Sequence, residues 1–113
     1  MAGEVVLRTF GGMTIRNLTK LNIGVIVDAL LIDEYVIVEY EGERGVDVHY
    51  IQARHRSEGD YQLEYRAGSP SDHYQTFTDS RDKVVTALFG WSKGETAWRD
   101  AFEWKSIGDW FPG

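Results

Sequence analysis

The chain has 113 residues, enough for one domain of common size and too few for two. Apolar residues make up 42%, charged residues 27% and aromatic residues 13%, which argues against disorder and permits a core without covalent staples. A formal net charge of −6 disfavours binding to phosphate backbones, and the lack of cysteine removes disulfides, thiolate zinc sites and cysteine nucleophiles.

Met1-Ala2-Gly3-Glu4 has no basic n-region and no long apolar h-region follows it, so no signal peptide is expected. Residues 4–10 are rich in strand formers. They run through Gly11-Gly12 into Met13-Thr14-Ile15-Arg16, which reads as a hairpin. Leu18, Leu21, Val25 and Leu30-Leu31 then follow a helical period over 18–31, with Thr19 or Asn22 as the cap. Gly24 and the β-branched Val25-Ile26-Val27 oppose that helix, so a strand is the alternative. The longest apolar run, Val25 to Ile32 broken by Asp28, is too short to span a bilayer. A soluble, cytoplasmic protein is expected, with no membrane partner.

Tyr35 to Glu41 is the most strand-like run. Gly42-Glu43-Arg44-Gly45 turns it, and 46–53 alternates, with Val48, Tyr50 and Gln52 opposed to His49, Ile51 and Ala53. Ser57 to Asp60 turns again, and Tyr61, Leu63 and Tyr65 alternate against Gln62, Glu64 and Arg66. Ala67 to Asp72 is a dense turn cluster, and His73 to Thr78 is the next strand. Connections this short make the series an antiparallel meander. Asp79-Ser80, with Asp82 three residues after Asp79, opens a helix whose face is Val84, Val85, Leu88 and Phe89. Gly90 and Ser92-Lys93-Gly94 end it, and a further helical turn is expected over 95–100. Phe102-Glu103-Trp104 reads as an extended return with both rings on one side, and Asp109 to Gly113 as a tail. The fold class is α+β: one domain over 1–113, with an antiparallel meander sheet of about five or six strands packed on one or two helices in two layers.

From Asp28 to Asp47 the acids Asp28, Asp33, Glu34, Glu39, Glu41, Glu43 and Asp47 face one base, Arg44. Such a run is either a solvated face or a surface for a basic partner. Tyr40, Tyr50, Tyr61, Tyr65 and Tyr74 are too many to bury on one sheet face, so some are expected on the open face, as partner contacts or as cross-strand packing. Trp98, Phe102 and Trp104 are expected to fasten the C-terminal segment to the sheet, leaving Trp91 and Trp110 for exposure.

Catalytic patterns are weak. His49, His55 and His73 match no zinc spacing, although His49 and His73 on one side of neighbouring strands would make a site with Glu64 or Asp47. Glu39 and Glu41 share a strand face but have no cleft signal beside them. There is no Gly-x-Ser-x-Gly, no Walker A and no Gly-x-Gly-x-x-Gly. Arg54, His55 and Arg56, near Arg66 if the strands pair as read, form a charged strand end or an anion site.

The run Asp60-Tyr61-Gln62-Leu63-Glu64-Tyr65-Arg66, then His73-Tyr74, Val84-Val85-x-Ala87, Gly94 and Trp98-x-x-x-Phe102-x-Trp104, resembles the first immunity family of bacterial polymorphic toxin systems. The resemblance spans nearly the whole chain and rests on hydrophobic positions and a Trp. The family's Gly-x-x-Pro before its final Trp is here Gly94-Glu95-Thr96-Ala97. The resemblance implies a non-enzymatic immunity protein that neutralises a cognate toxin, often a nucleic-acid-directed one. Charge and pattern then assign its contacts to Asp33, Glu34, Glu39, Tyr40, Glu41, Glu43 and Trp91. A basic toxin partner, no cofactor, no metal and a monomer or weak homodimer are expected. The alternative is a small ligand-binding or regulatory domain that self-associates through a sheet edge.

Overall fold

The computed structural model describes residues 3–110. Of the tail expected over 109–113, Asp109 and Trp110 lie in a 3-10 turn (Gly108–Trp110), and the rest falls outside the described residues. Among them, β1 (Val5–Thr9), β2 (Thr14–Ile15), β3 (Tyr35–Tyr40), β4 (His49–His55), β5 (Tyr61–Ala67), β6 (His73–Thr78) and β7 (Lys105–Ser106) form one antiparallel sheet in the order β2-β1-β3-β4-β5-β6-β7. Two helices, α1 (Lys20–Asp28) and α2 (Arg81–Ser92), complete an α+β fold of two layers. The sheet exceeds the expected five or six strands because β7 is a two-residue edge pairing, below the length at which alternation is readable; β2, the return of the expected hairpin, is as short. Neither helix is long and apolar enough to cross a membrane.

Within 18–31 the helix covers Lys20–Asp28, and its buried face is Ile23, Gly24 and Val27, while Leu21 and Val25 of the expected face are exposed. Thr19 and Asn22 make one reciprocal cap: the Thr19 hydroxyl accepts from the Asn22 N–H at 3.1 Å, and Asn22 Oδ1 accepts from the Thr19 N–H at 2.9 Å. Gly24 is a packing device. A Cβ there would meet Arg81 Nη2 of α2 at 2.5 Å, and Arg81 donates to both Asp28 carboxylate oxygens at 2.8 and 2.9 Å. The two helices lean on each other at that point.

At α2 the cap is Ser80 rather than Asp79, because the helix begins one residue later than the Asp79–Asp82 spacing suggests. Ser80 Oγ accepts from the Lys83 N–H at 3.2 Å. Val84, Val85, Ala87 and Leu88 are buried, while Phe89 is half-buried. Gly90 sits inside the helix rather than ending it, and a Cβ there would meet Trp98 Cδ1 at 2.7 Å.

The pairings Leu7↔Val38↔Ile51↔Tyr65 and Val36↔Ala53↔Leu63 line up the apolar face of the sheet beneath the helices. That face alternates with an open face bearing Arg8, Tyr35, Glu39, Tyr50, Gln52, Arg54, Gln62, Glu64, Arg66, His73, Gln75 and Phe77. The register overturns the expected distribution of tyrosines. Tyr40, Tyr61, Tyr65 and Tyr74 lie on the helix side, and of the five only Tyr50 lies on the open face. The aromatics after α2 explain how so many fit: Tyr65 stacks on Tyr74 at 4.9 Å and meets Trp98 and Trp104 edge-on at 5.3 and 4.8 Å. Trp98 is buried within a 3-10 turn (Ala97–Ala101), and its indole N–H donates to the Glu95 carbonyl at 2.7 Å. The return through Phe102 and Trp104 is not itself a strand; the pairing begins at Lys105. The two rings touch at 5.3 Å, and the Glu103 carbonyl accepts from the Thr76 hydroxyl at 2.9 Å. Strand β4 likewise starts at His49, leaving Val46 to Val48 in the loop, where the Val46 carbonyl accepts from Arg66 at 3.1 Å.

Candidate functional site

A concavity lies where the end of β3 and the start of β4 meet the end of α2. Tyr40, His49, Tyr65, Trp91, Trp98 and Arg99 line a cleft of about 150 Å³, with Glu95 and Thr96 on its rim. Two of the expected contacts meet here although half the chain separates them: the Tyr40 and Trp91 rings lie 5.2 Å apart. Tyr40 also meets the His49 ring edge-on at 6.1 Å. Glu43 joins this group through the β3–β4 loop, accepting from the His49 N–H at 2.8 Å and lying 3.3 Å from His49 Nδ1. Tyr65 is pushed above the ordinary phenol range by burial, which keeps it neutral.

Arg99 is placed by the 3-10 turn after α2. Its guanidinium lies 4.9 Å from the Tyr65 ring centre and 5.2 Å from that of Trp98, in the corner made by two rings 89° apart. Its backbone carbonyl accepts from the Trp104 indole N–H at 3.0 Å, which pins the turn. Nothing in the sequence singles out Arg99, because the contact depends on how the turn folds back on β5.

The other acids of the expected surface are spread out. Glu41, just past β3, takes a bidentate pair from Arg16 at 2.6 and 2.7 Å, and Glu4 shares the same guanidinium at 2.9 Å. Arg16 beside it holds the Glu41 carboxyl below the usual carboxylate range. Glu39 projects onto the open face and pairs with Arg8 at 2.7 Å. Asp33 and Glu34 lie at the other end of β3, about 20 Å away at the usual rise per residue. There Asp33 pairs with Arg54 at 3.0 Å, and Glu34 accepts from the Leu31 N–H at 3.0 Å. Tyr40 and Trp91 therefore meet, Glu43 joins them through His49, Glu41 follows Tyr40 in the chain but is tied to Arg16 and Glu4, and Asp33 and Glu34 lie at the far end.

The histidine arrangement is corrected by the register. His49 and His73 lie on opposite faces of the sheet, so they share no site, and no group of three or more metal-ligating side chains occurs among the described residues. His73 does meet Glu64. Arg66 Nε–H donates to His73 Nδ1 at 3.0 Å, so the ring proton is on Nε2 and goes to Glu64 Oε1 at 2.8 Å. Burial pushes His73 below its ordinary value, Arg66 works in the same direction, and the bond to Glu64 opposes them. The Arg54–His55–Arg56 cluster also disperses. Arg54 goes to Asp33, His55 stacks on Tyr61 at 5.0 Å, and Arg56 pairs with Glu58 and Asp60. Arg66 pairs across from Tyr50, four positions along β4 from Arg54.

No protein-family model matches the chain, and no curated protein or solved structure matches it significantly.

Proposed function

We propose that the protein is a non-enzymatic immunity protein that binds a cognate bacterial toxin and blocks its active site or substrate cleft. The observation that carries this reading is the meeting of Tyr40 and Trp91 beside Glu41 and Glu43 at one end of the sheet. Half-buried aromatic rings give rigid contact area, and adjacent carboxylates attract and orient a basic partner. Against a nucleic-acid-directed toxin, those carboxylates would take the positions of substrate phosphates. The contact centres on Tyr40, Glu41, Glu43 and Trp91. Glu39 stands on the opposite face, and Asp33 and Glu34 at the far end supply long-range charge. The complex forms in the cytoplasm, with the free protein a monomer or weak homodimer.

The test is capture of the tagged protein's partner from its native lysate across rising salt. The expected result is one stoichiometric, basic partner that salt weakens, whose activity is blocked at equal amounts of the two proteins. Trp91→Ala should then weaken the purified complex by about tenfold or more. Recovery of no partner, with the protein eluting as a self-associated species, would replace this reading. The cleft itself favours the replacement, a small ligand-binding or regulatory domain.

A further inference from the structure

Five of the eight arginines on this molecule are used up by its own acids. Arg8, Arg16, Arg54, Arg56 and Arg81 each pair with a carboxylate of the chain. Arg99 is not among them: no described acid is within ion-pair reach of it, and, unlike the exposed Arg44, it has a buried Nε–H that finds no acceptor. Glu95, on the rim of the same cleft, does not pair with it. In a chain of net charge −6 with eighteen acids, a cation left unpaired in a concavity is out of keeping with the rest of the surface. The guanidinium carbon lies 4.9 Å from the Tyr65 ring centre and 5.2 Å from that of Trp98. A guanidinium whose Nε–H lacks an acceptor still has donors to offer, and its planar fork suits a planar, bidentate acceptor. The walls of the cleft are the rings of Tyr40, Trp91 and Trp98, and the space is about 150 Å³.

We propose that this cleft is a binding site for a carboxylate carried on a small apolar or aromatic group, with Arg99 as the carboxylate receptor and Tyr40, Trp91 and Trp98 as the walls around the apolar part. The ligand is either a free small acid or the C-terminal carboxylate of a polypeptide, since both present the same planar anion beside a hydrophobic group. The inference goes beyond toxin neutralisation and does not rest on it: it concerns what fills the cleft, and its test contains no partner protein.

The probes are sodium benzoate and its neutral isostere benzamide, added to the full chain. Two tryptophans in the cleft report by fluorescence, and the Arg99 Nε–H reports by nitrogen-15 NMR. Benzoate is expected to bind with a dissociation constant on the order of a millimolar, as suits so small a ligand, and to shift the Arg99 Nε–H resonance. Benzamide should bind at least about tenfold more weakly, and Arg99→Gln should lower benzoate affinity by a similar factor. The benzoate–benzamide comparison is made on the unmodified protein, so it stands even if that variant misfolds. Equal binding of the two probes, or no binding by benzoate, overturns the proposal. Equal benzoate binding by Arg99→Gln, if folded, overturns it too. A second arm compares a short peptide ending in phenylalanine with its C-terminal amide. A free-acid peptide that binds tighter than benzoate, with the amide about tenfold weaker, identifies a polypeptide terminus as the source. A peptide that binds less well than benzoate identifies a free small acid.

Discussion

The two faces of the sheet are built from alternate residues of the same strands and are held by different physics. On the helix side, Leu7, Val36, Val38, Ile51 and Leu63 are all fully buried, and what stabilises them is apolar area removed from water, which has no preferred direction. On the open side, one residue along, Gln62, Glu64 and Arg66 of β5 enter a network of directed bonds. His73 lies 2.8 Å from Glu64 and 3.0 Å from Arg66, and Gln62 donates to Gln75 at 3.0 Å and to Glu64 at 3.2 Å. His73 is fully buried, so the ring cannot exchange its partners for water. The contrast teaches how each face should fail. The apolar face should respond to lost volume, and the polar face to a lost partner or a changed proton.

The largest effect should come from the middle of the apolar face. Leu63→Ala removes a fully buried side chain under the helices and is expected to cost about 2–5 kcal/mol of unfolding free energy. Leu63→Met keeps most of the volume and should cost less than about 1.5 kcal/mol. Urea unfolding of the two variants checks this. A cost for Leu63→Ala no greater than that of Leu63→Met would show that volume is not what this face reads.

The polar face should respond in an intermediate range and with a pH signature that the apolar face lacks. His73→Leu keeps an apolar body but strands the Arg66 and Glu64 groups that bonded the ring, at about 1–3 kcal/mol. The ring is held neutral in the fold, with a value below its ordinary 6.5. Its unfolded form therefore takes up a proton first as pH falls. The contribution of neutral His73 is thus complete above about 6.5 and is lost as pH falls through the lower, folded value. Glu64 and Arg66 from β5 and Tyr50 from β4 are among the groups that face the ring. The carboxyls of Asp28, Glu41 and Glu58, held low by Arg81, Arg16 and Arg56, release their share only at more acidic pH. Unfolding measured from pH 7.5 down to 5 should show wild type losing stability faster than His73→Leu. Parallel curves would mean that His73 is not the titrating group.

Much of the fold is legible in the sequence because its elements carry strong local signals. Thr19 and Asn22 mark the start of α1, and the alternation of Tyr61, Leu63 and Tyr65 marks the apolar face of β5. What escapes is whatever depends on register. Periodicity says that Tyr50 and His49 point to opposite faces, but not which face the helices cover. So most of the tyrosines fall on the helix side, and His49 and His73 come apart. The cleft is half legible. Tyr40 and Trp91 are visible as aromatics near acids or a helix end, but Arg99 acquires meaning only when the turn after α2 lays it on Tyr65. Gly24 and Gly90 read as helix breakers in one dimension and are close-approach points in three.

The smallest effect should come from the rim of the polar face. Asp33 pairs with Arg54 at 3.0 Å, and both side chains are well exposed, so water and salt already screen the pair. Asp33 also has φ near 70°, a backbone conformation that asparagine tolerates, and its N–H bond to the His55 carbonyl is made by the main chain. Asp33→Asn therefore removes the charge and little else, and should change stability by less than about 1 kcal/mol. Thermal unfolding at two salt concentrations checks it, since any difference should shrink as salt rises. The same variant sharpens the functional reading. Asp33 sits at the opposite end of β3 from Tyr40 and Trp91, so partner capture should keep its strength while Trp91→Ala loses it. If Asp33→Asn weakens capture as much as Trp91→Ala, the partner spans the whole acidic edge and the contact surface is not confined to the cleft end.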